Sequence, residues 1–365
     1  MKYNKILWED LGVSVSFSEF YVDGGASEIH SILEINDNLL AAEEQFKNLS
    51  EALKRLKNEA AFRKMKLHWQ RFFVSDAANQ RGFIAGDRAV SIIEQAPLNG
   101  SKAALWAYFI EDVPLAYSHI FTAGLSGKTG DSYQQTQEIF NRYDEILAEA
   151  GASLEKNCIR TWIFVRDIDN RYSGMVRARR EIFERQGLTK DTHFIASTGI
   201  EGRSAEPETL VVMDAYAIPE IESGQIAYLQ GRSHLNPTHE YGVTFERGTK
   251  IAYGDRSHVI ISGTASIDNR GEIMYPLDIE QQTCRMLENV ETLLAEAGAS
   301  FDSLCYLIVY LRDSGDYERT KLYFAKRFPA VPFVILLAPV CRQGWLIEVE
   351  CSAVIRGGDA RFKGF

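Results

Sequence analysis

The chain has 365 residues, of which 45% are hydrophobic and 25% are charged. These fractions are typical of globular proteins and exclude a disordered, collagen-like or coiled-coil chain, while the length suffices for two or three folded units. The 40 basic and 50 acidic residues give a formal net charge of −10. This charge disfavours nucleic acid as a partner, because binding to a phosphate backbone needs clustered lysine and arginine.

The first predicted elements are an amphipathic helix, with apolar residues at steps of three and four across 46–56, and an apolar strand ending in FFVSD (72–76). Two further segments, 89–95 and 103–111, are typical of strands. They either close the first unit together or are divided between the first and second units. A second helix is mostly missing from the first unit.

The same order of elements follows twice more along the chain. In the second unit a helical stripe ends at Gly151, and the strand after it ends in IFVRD (163–167). In the third unit we predict strands near 242–249 and 257–267, a helix near 278–297, a strand near 303–312, a helix near 315–328, and strands near 332–338 and 345–355.

An internal repeat relates the second and third units. LAEAGAS occurs at 147–153 and 294–300, and the triplet QQT occurs at 134–136 and 281–283, both at an offset of 147 residues. FFVSD aligns with IFVRD and marks a fainter first copy. Shared markers at one spacing indicate repeated structural units. The predicted organisation is a first unit at 1–112, a second at 113–218, a proline- and glycine-containing connector at 219–239 and a third unit at 240–365.

Each unit should form an α+β layer, in which helices cover one face of a sheet. The other face still has to be buried. Three units in one chain can achieve this if their bare faces meet around a common centre.

The sequence disfavours a disulfide framework, a metal site, a signal peptide and a membrane span. The five cysteines are an odd number without C-x-x-C spacing, which predicts reduced thiols and a cytoplasmic protein. The histidines lack metal-ligand spacing, so no metal is expected. Glu9 and Asp10 interrupt any signal-like start, and the longest apolar run, 333–341, is about half a membrane span. We expect no membrane partner.

The segment 338–351 carries the strongest chemical signal. In an alternating strand, Glu348 and Glu350 share one face. Burial raises the pKa of a carboxyl group, so such a glutamate can act as a general acid near neutral pH. Arg342 can hold a carboxylate in a bidentate manner. The alternative interpretations are a solvated strand face for the glutamates and a surface ion pair for the arginine.

Four segments of the third unit resemble the reactive-intermediate deaminase superfamily, also called YjgF-like. They are ISGTASID (261–268), YLRD (310–313), RFP (327–329) and CRQGWLIEVE (341–350). The resemblance implies a chorismate-mutase-like fold, in which three subunits form a central barrel of sheets with helices outside and ligand clefts between subunits. With three repeats, this chain is expected to build the same arrangement alone, as a monomeric pseudo-trimer.

The same resemblance implies a catalytic role for Glu348, which matches the glutamate of the family's motif. The arginine that grips substrate in the family falls on Phe333 in this sequence. In the second unit, Val212 and Ser197 stand at the glutamate and arginine positions. A standard enamine deaminase site is therefore not expected in either unit.

A narrower resemblance is to the chorismatase branch, on the runs 218–230 and 236–248 and on GTASI (263–267). It implies cofactor-free hydrolysis of an enolpyruvyl ether. Tyr241 is either a hydroxyl partner of the substrate or a core aromatic residue. The implied site consists of Glu348 as general acid, Arg247 and Arg342 as carboxylate ligands, and Tyr241, Thr264, Ala265, Ser266 and Cys341 around the substrate.

Three functions therefore stay open. The first is a chorismatase-like hydrolase or lyase acting on a small enol-type carboxylate, the second is an imine or enamine deaminase, and the third is non-catalytic binding of a small ligand. We expect an enzyme without cofactor or metal whose partner is a small-molecule carboxylate. The negative net charge disfavours an endoribonuclease.

Overall fold

The computed structural model describes residues 1–85 and 89–365, apart from the side chain of Tyr241. In this part of the chain three mixed β-sheets of six, four and six strands are covered by helices. The fold is α+β with three tandem units, as the repeats predict.

The first sheet has the strand order β1-β2-β3-β6-β4-β5, and only β4 and β5 run parallel. Its second helix is reduced to one turn, as the sequence predicts. The elements are β1 (Lys2–Trp8), β2 (Val13–Phe20), β3 (Glu28–Ile35), α1 (Ala42–Asn58), β4 (Met65–Val74), α2 (Ala77–Gln80), β5 (Val90–Glu94) and β6 (Ala103–Glu111).

The second sheet has the order β7-β10-β8-β9, with β8 and β9 parallel. Two long helices cover its outer face. The elements are β7 (Ile120–Ser126), α3 (Ser132–Glu149), α4 (Leu154–Asn157), β8 (Cys158–Val165), α5 (Ile168–Arg185), β9 (Ala196–Glu201) and β10 (Val211–Ala217).

The third sheet has the order β11-β12-β13-β16-β14-β15, with β14 and β15 parallel. Its edge strand β11 lies within the segment expected to be a connector. The elements are β11 (Ile226–Leu229), β12 (Gly248–Ala252), β13 (Arg256–Ala265), α6 (Ile279–Glu296), β14 (Leu304–Leu311), α7 (Tyr317–Arg327), β15 (Phe333–Leu337) and β16 (Ile347–Arg356).

One strand of the third sheet begins later than expected. The alternation across 242–249 predicts a strand there, but β12 starts at Gly248. The backbone amide of Glu246 instead donates to the carbonyl of Ile195 at 3.1 Å, next to the second sheet. Alternation identifies an extended segment but cannot tell which sheet will pair with it.

A buried glutamine in the first long helix of each unit explains why part of the repeat is preserved. The side-chain oxygen of Gln135 accepts from the amide of Leu210 at 2.8 Å, and that of Gln282 accepts from Leu346 at 2.9 Å. In α1, Gln45 makes the same contact with the amide of Lys102 at 2.8 Å. Each glutamine thus fixes the chain just before the last strand of its unit.

The inner faces of the three sheets meet around a common centre. Trp69 and Trp106 of the first sheet pack with Trp162 of the second and Tyr306 of the third, and the ring centroids of Trp106 and Tyr306 are 4.7 Å apart. Single bridges such as Pro97–Leu336 join the described sheets. Because continuous pairing stays within each described sheet, the arrangement is barrel-like but not a closed barrel.

None of the helices in the described ranges is long and apolar enough to cross a lipid bilayer.

Candidate active site

Strand β16 places both glutamates of the predicted pair in the interior. Glu348 is 5% exposed and Glu350 is 1% exposed, so the solvated strand face is wrong. Glu350 accepts hydrogen bonds from Arg160 Nη2 at 2.9 Å and from Trp162 Nε1 at 3.0 Å. The two glutamates therefore have different surroundings, since Glu350 is held by residues of the second sheet.

A cavity of about 40 Å³ lies between the second and third sheets and is lined by Glu348, Arg179, Arg247 and Arg342. We call it the arginine cleft. Two of these arginines were expected from the sequence, and the structure places them beside the same glutamate. The four side chains come from β16, from helix α5 and from the loops before β12 and β16. The site thus needs two units of the chain.

The protonation state of Glu348 follows from its surroundings. Burial raises the pKa of its carboxyl group to about 8, and the negative charge of Glu350 contributes to this rise. The positive charges of Arg160 and Arg247 act in the opposite direction but are outweighed. Glu348 is therefore mostly protonated at neutral pH and can donate a proton.

Glu348 has room because its neighbour in β13 lacks a side chain. The pairing of β13 with β16 is irregular between Ile261 and Thr264. At this irregularity a Cβ atom on Gly263 would collide with Oε1 of Glu348. The amide of Gly263 donates to Oγ1 of Thr198 at 2.9 Å, which ties this part of β13 to the second sheet.

The expected arginines are held by the backbone around them. Arg247 is 5% exposed and its Nη2 donates to the carbonyl of Asn236 at 3.1 Å. Arg342 donates through Nη1 to the carbonyl of Gly271 at 3.3 Å, and its guanidinium lies 4.9 Å from the ring centroid of Trp345. Both cations are thereby directed along the wall of the cleft.

Arg179 was not expected from the sequence. It is 1% exposed, and its Nε donates to Oγ1 of Thr244 at 3.3 Å. The signal that could have found it is its position on α5, because it shares the buried stripe with Met175, Ile182 and Phe183. An arginine in the apolar stripe of a helix needs an interior partner or ligand.

Of the four smaller predicted residues, two line the cleft and two point away from it. Ala265 and Cys341 line the cleft, and the hydroxyl of Tyr172 hydrogen-bonds to the Cys341 thiol. Burial raises the pKa of Cys341 to about 12, so it stays a thiol at neutral pH. Thr264 and Ser266 point to the other side and bond to backbone carbonyls, which removes them from the cleft wall. The side chain of Tyr241 lies outside the described residues.

The equivalent positions in the other two units carry no acid. The residue at the position of Glu348 is Val212 in the second unit and Ala104 in the first. Cross-strand pairing shows the equivalence: Glu348 pairs with Tyr310, Val212 with Phe164 and Ala104 with Phe73. At the position of the family's arginine, Phe333 packs against Phe324 with ring centroids 5.8 Å apart. In the described parts of the chain, no group of three or more His, Cys, Asp or Glu side chains is arranged to hold a metal ion.

Comparison with known proteins agrees with this architecture. The family model described as Endoribonuclease L-PSP matches residues 249–355. A solved chorismatase structure is 17% identical, covers 79% of this chain and 92% of its own, and superposes with a TM-score of 0.63, so the two share a fold across all three units.

Two curated relatives match a shorter stretch. The 3-aminoacrylate deaminase RutC of Acinetobacter baylyi is 30% identical over 71 residues, which is 20% of this chain and 56% of the relative. A RutC family protein of Saccharolobus solfataricus is 32% identical over 110 residues, which is 30% of this chain and 84% of the relative. Since most of that relative is covered at this level of identity, the chain belongs to the RutC family.

Proposed function

We propose that the protein is a cofactor-free enzyme that cleaves a small enolpyruvyl ether carrying more than one carboxylate, as a chorismatase does. The observation that supports this most is the content of the arginine cleft, where one protonated carboxyl group stands among three guanidinium groups. A proton donor and several carboxylate ligands are what hydrolysis of such a substrate requires.

The charge of the cleft favours a dianion over a monoanion. Glu348 is neutral at pH 7 and therefore does not offset the charges of Arg179, Arg247 and Arg342. Arginine binds carboxylates through two parallel hydrogen bonds, so several arginines can engage a substrate with carboxylates at two places. Chorismate has this pattern, with one carboxylate on its ring and one on its enolpyruvyl group.

In the proposed reaction, Glu348 donates its proton to the methylene carbon of the enol ether. The ether carbon becomes an oxocarbenium ion, and the Glu348 carboxylate then takes a proton from the water that attacks it. Glu348 then gives this proton to the ether oxygen of the hemiketal and takes one from the hemiketal hydroxyl, so that the bond to the ether oxygen breaks, pyruvate and the ring alcohol are released, and Glu348 is again protonated. The arginines hold the carboxylates in place throughout, so that the developing charges meet a preorganised site.

The test is pyruvate release from chorismate, followed by a coupled lactate dehydrogenase assay. We expect turnover by the parent protein, and loss of turnover in Glu348→Gln with substrate binding largely retained. The matched control is Glu280→Gln, an exposed residue at the start of α6, which should behave as the parent. Absence of pyruvate, or equal rates in Glu348→Gln and the parent, would contradict the proposal.

Imine or enamine deamination is the second candidate, and the similarity to a protein named as a 3-aminoacrylate deaminase favours it. Glu348 would protonate the carbon of an enamine in the same way. Phe333 leaves such a substrate without the family's arginine, so Arg247 or Arg342 would have to bind its carboxylate. Release of ammonia from freshly generated 3-aminoacrylate or 2-aminoacrylate, without pyruvate release from chorismate, would favour the deaminase.

A further inference from the structure

The arginine cleft is too small to hold the substrate proposed for it. Its volume is about 40 Å³, whereas a cavity of roughly 150 Å³ takes up benzene. A substrate with a ring and two carboxylates is larger than benzene, and sites for such molecules usually have volumes of about 300–1,000 Å³. Part of the wall therefore has to move before this substrate can enter.

Much of this wall is fixed by the elements to which it belongs. Strands β9, β13 and β16 and helix α5 supply part of it. The loop before β16 is anchored by Trp345, whose Nε1 donates to the carbonyl of Ser266 at 2.9 Å. Another part of the wall comes from the segment 230–247, which joins β11 to β12 and contributes Val243, Phe245 and Arg247. This segment can move without breaking a sheet or a helix.

The segment 230–247 is far longer than its connection requires. Leu229 and Gly248, which flank it, pair directly across β11 and β12. Strands paired in this way are usually joined by about two to five residues. The hydroxyl of Thr238 donates to the carbonyl of Phe245 at 2.6 Å, so the middle of the segment is closed on itself. Long loops with neighbouring ends are typical of flaps over binding sites.

Both ends of the segment are fixed to the rest of the protein. The amide of Gly231 donates to the carboxylate of Glu296 at 2.7 Å, close to the end of helix α6. At the other end, Oε1 of Glu246 accepts from the amide of Phe194 at 2.8 Å. Movement is therefore confined to the residues between these anchors.

Arginines of the cleft hold the residues between the anchors. Nη2 of Arg247 donates to the carbonyl of Asn236 at 3.1 Å, and Nε of Arg179 donates to Oγ1 of Thr244 at 3.3 Å. Both acceptors are uncharged, whereas arginine forms stronger hydrogen bonds with carboxylates. The groups that would bind the substrate are thus the same groups that hold this segment against the cleft.

We propose that residues 236–245 form a lid over the arginine cleft, which opens to admit a substrate with two carboxylates and closes over it. Arg179 and Arg247 hold the closed lid. Each guanidinium has several N–H donors, so it can bind a carboxylate and the lid together, and closure encloses the substrate. The proposal rests on the proposed function, because it is the size of that substrate that requires the opening.

The experiment measures how fast N-ethylmaleimide, an uncharged thiol reagent larger than benzene, reacts with Cys341 in the wall of the cleft. Mass spectrometry of peptides assigns the labelled cysteine. In the parent, Cys341 should react at least about tenfold faster than Cys351, which is 1% exposed in β16 and becomes accessible only on unfolding. Equal rates would mean that unfolding alone opens the cleft, and would overturn the proposal.

Thr244→Val removes the acceptor for Arg179 and keeps the shape of the side chain. Cys341 should then react about tenfold faster, because the closed lid loses one hydrogen bond from a charged donor. Thr244→Ser keeps the hydroxyl and should react at the parent rate. The matched control is Thr320→Val, which removes the hydrogen bond from the Thr320 hydroxyl to the carbonyl of Asp316 in α7 and should also react at the parent rate. Equal rates in Thr244→Val and the parent overturn the proposal.

Chorismate separates the lid from the proposed function. In Glu348→Gln, which should bind chorismate without turning it over, chorismate at about ten times its dissociation constant should slow the labelling of Cys341 about tenfold. Faster labelling in Thr244→Val without protection by chorismate would support the lid and contradict chorismate as the substrate. Protection by chorismate without faster labelling in Thr244→Val would support the substrate and overturn the lid.

Discussion

Glu348 can hold its proton because the residues around it restrict both its solvation and its position. Oε1 occupies the space that a side chain on Gly263 would take, and no other amino acid leaves that space open. Desolvation by the surrounding side chains then keeps the carboxyl neutral at pH 7. At the scale of single residues, the site therefore depends on a missing side chain as much as on the functional ones.

The raised pKa of Glu348 predicts a specific pH dependence of stability. The group titrates near 4.5 in the unfolded chain and at about 8 in the folded protein. Between these values the folded state binds the extra proton, so rising pH destabilises it by up to about 1.4 kcal/mol per unit. Below pH 4.5 the group is neutral in both states, and above about 8 the difference is constant.

Glu348→Gln removes this titration. Measured by denaturant unfolding from pH 4 to 9, the stability of the parent relative to Glu348→Gln should therefore fall between pH 4.5 and 8. A difference that stays flat over this range would mean that Glu348 is ionised when folded. That outcome would also remove its role as a general acid.

Gly263→Ala should displace the carboxyl group without changing any charge. The added methyl group collides with Oε1 of Glu348, so we expect loss of turnover and a decrease in unfolding free energy of about 1–3 kcal/mol. Gly82→Ala is the matched control, because a Cβ atom there meets nothing within 4 Å. Turnover is measured by enzyme assay and the unfolding free energy by denaturant titration. Equal values for Gly263→Ala and Gly82→Ala would contradict this account.

At the scale of elements, the long helices that belong to the repeat, α1, α3 and α6, differ in how they begin. Asp278 caps α6 by accepting from the amide of Gln281 at 3.0 Å, and Asp131 caps α3 in the same way at an equivalent position of the repeat. At the start of α1, Ala41 offers no side-chain cap. The first copy of the repeat thus lacks a capping interaction that the other two have.

This difference predicts opposite effects of two cap substitutions. Asp278→Ala should lower the unfolding free energy by about 1 kcal/mol, because one amide at the helix start loses its acceptor. Ala41→Ser should raise it by a similar amount, since it supplies the acceptor that α1 lacks. Denaturant midpoints measure both, and two changes of the same sign would contradict this interpretation.

The elements also show how far sequence patterns can predict this protein. Helix α6 and strands β13 to β16 lie close to their expected positions, because apolar periodicity and the repeat are local signals. The pairing of Glu246 with the second sheet and the arrival of Arg179 in the cleft depend on contacts between units. The resemblance to a known family already grouped Arg247 and Arg342 with Glu348, and the apolar stripe of α5 marks Arg179 as buried. That Arg179 enters the same cleft depends on contacts between units, so this required the folded structure.

At the scale of the whole molecule, a buried arginine joins all three units. Arg71 of β4 donates through Nε to Asp214 of β10 at 2.9 Å, and its Nη1 lies 3.6 Å from Oε1 of Glu350 in β16. All three side chains are at most 1% exposed. The interior of the barrel-like arrangement thus contains charges that are compensated only when the three sheets are assembled.

Replacing Arg71 with methionine keeps most of its apolar length but leaves Asp214 without its cation. Removing one partner of a buried ion pair typically costs about 3–5 kcal/mol, because the remaining charge cannot be resolvated. We expect Arg71→Met to lower the unfolding free energy by this amount. Arg55→Met is the control, since Arg55 pairs with Asp10 on the exposed surface, where solvent screens the interaction. It should leave the unfolding free energy nearly unchanged.

Because Arg71 connects the units, its loss should also act on the molecule as a whole. Three of the five tryptophans, Trp69, Trp106 and Trp162, lie at the centre and contribute to the fluorescence, whereas far-ultraviolet circular dichroism reports largely on the outer helices. Both signals should change at the same denaturant concentration in the parent protein, and both should move together to a lower concentration in Arg71→Met. If only the fluorescence transition moved, the units would unfold separately and Arg71 would stabilise the centre alone.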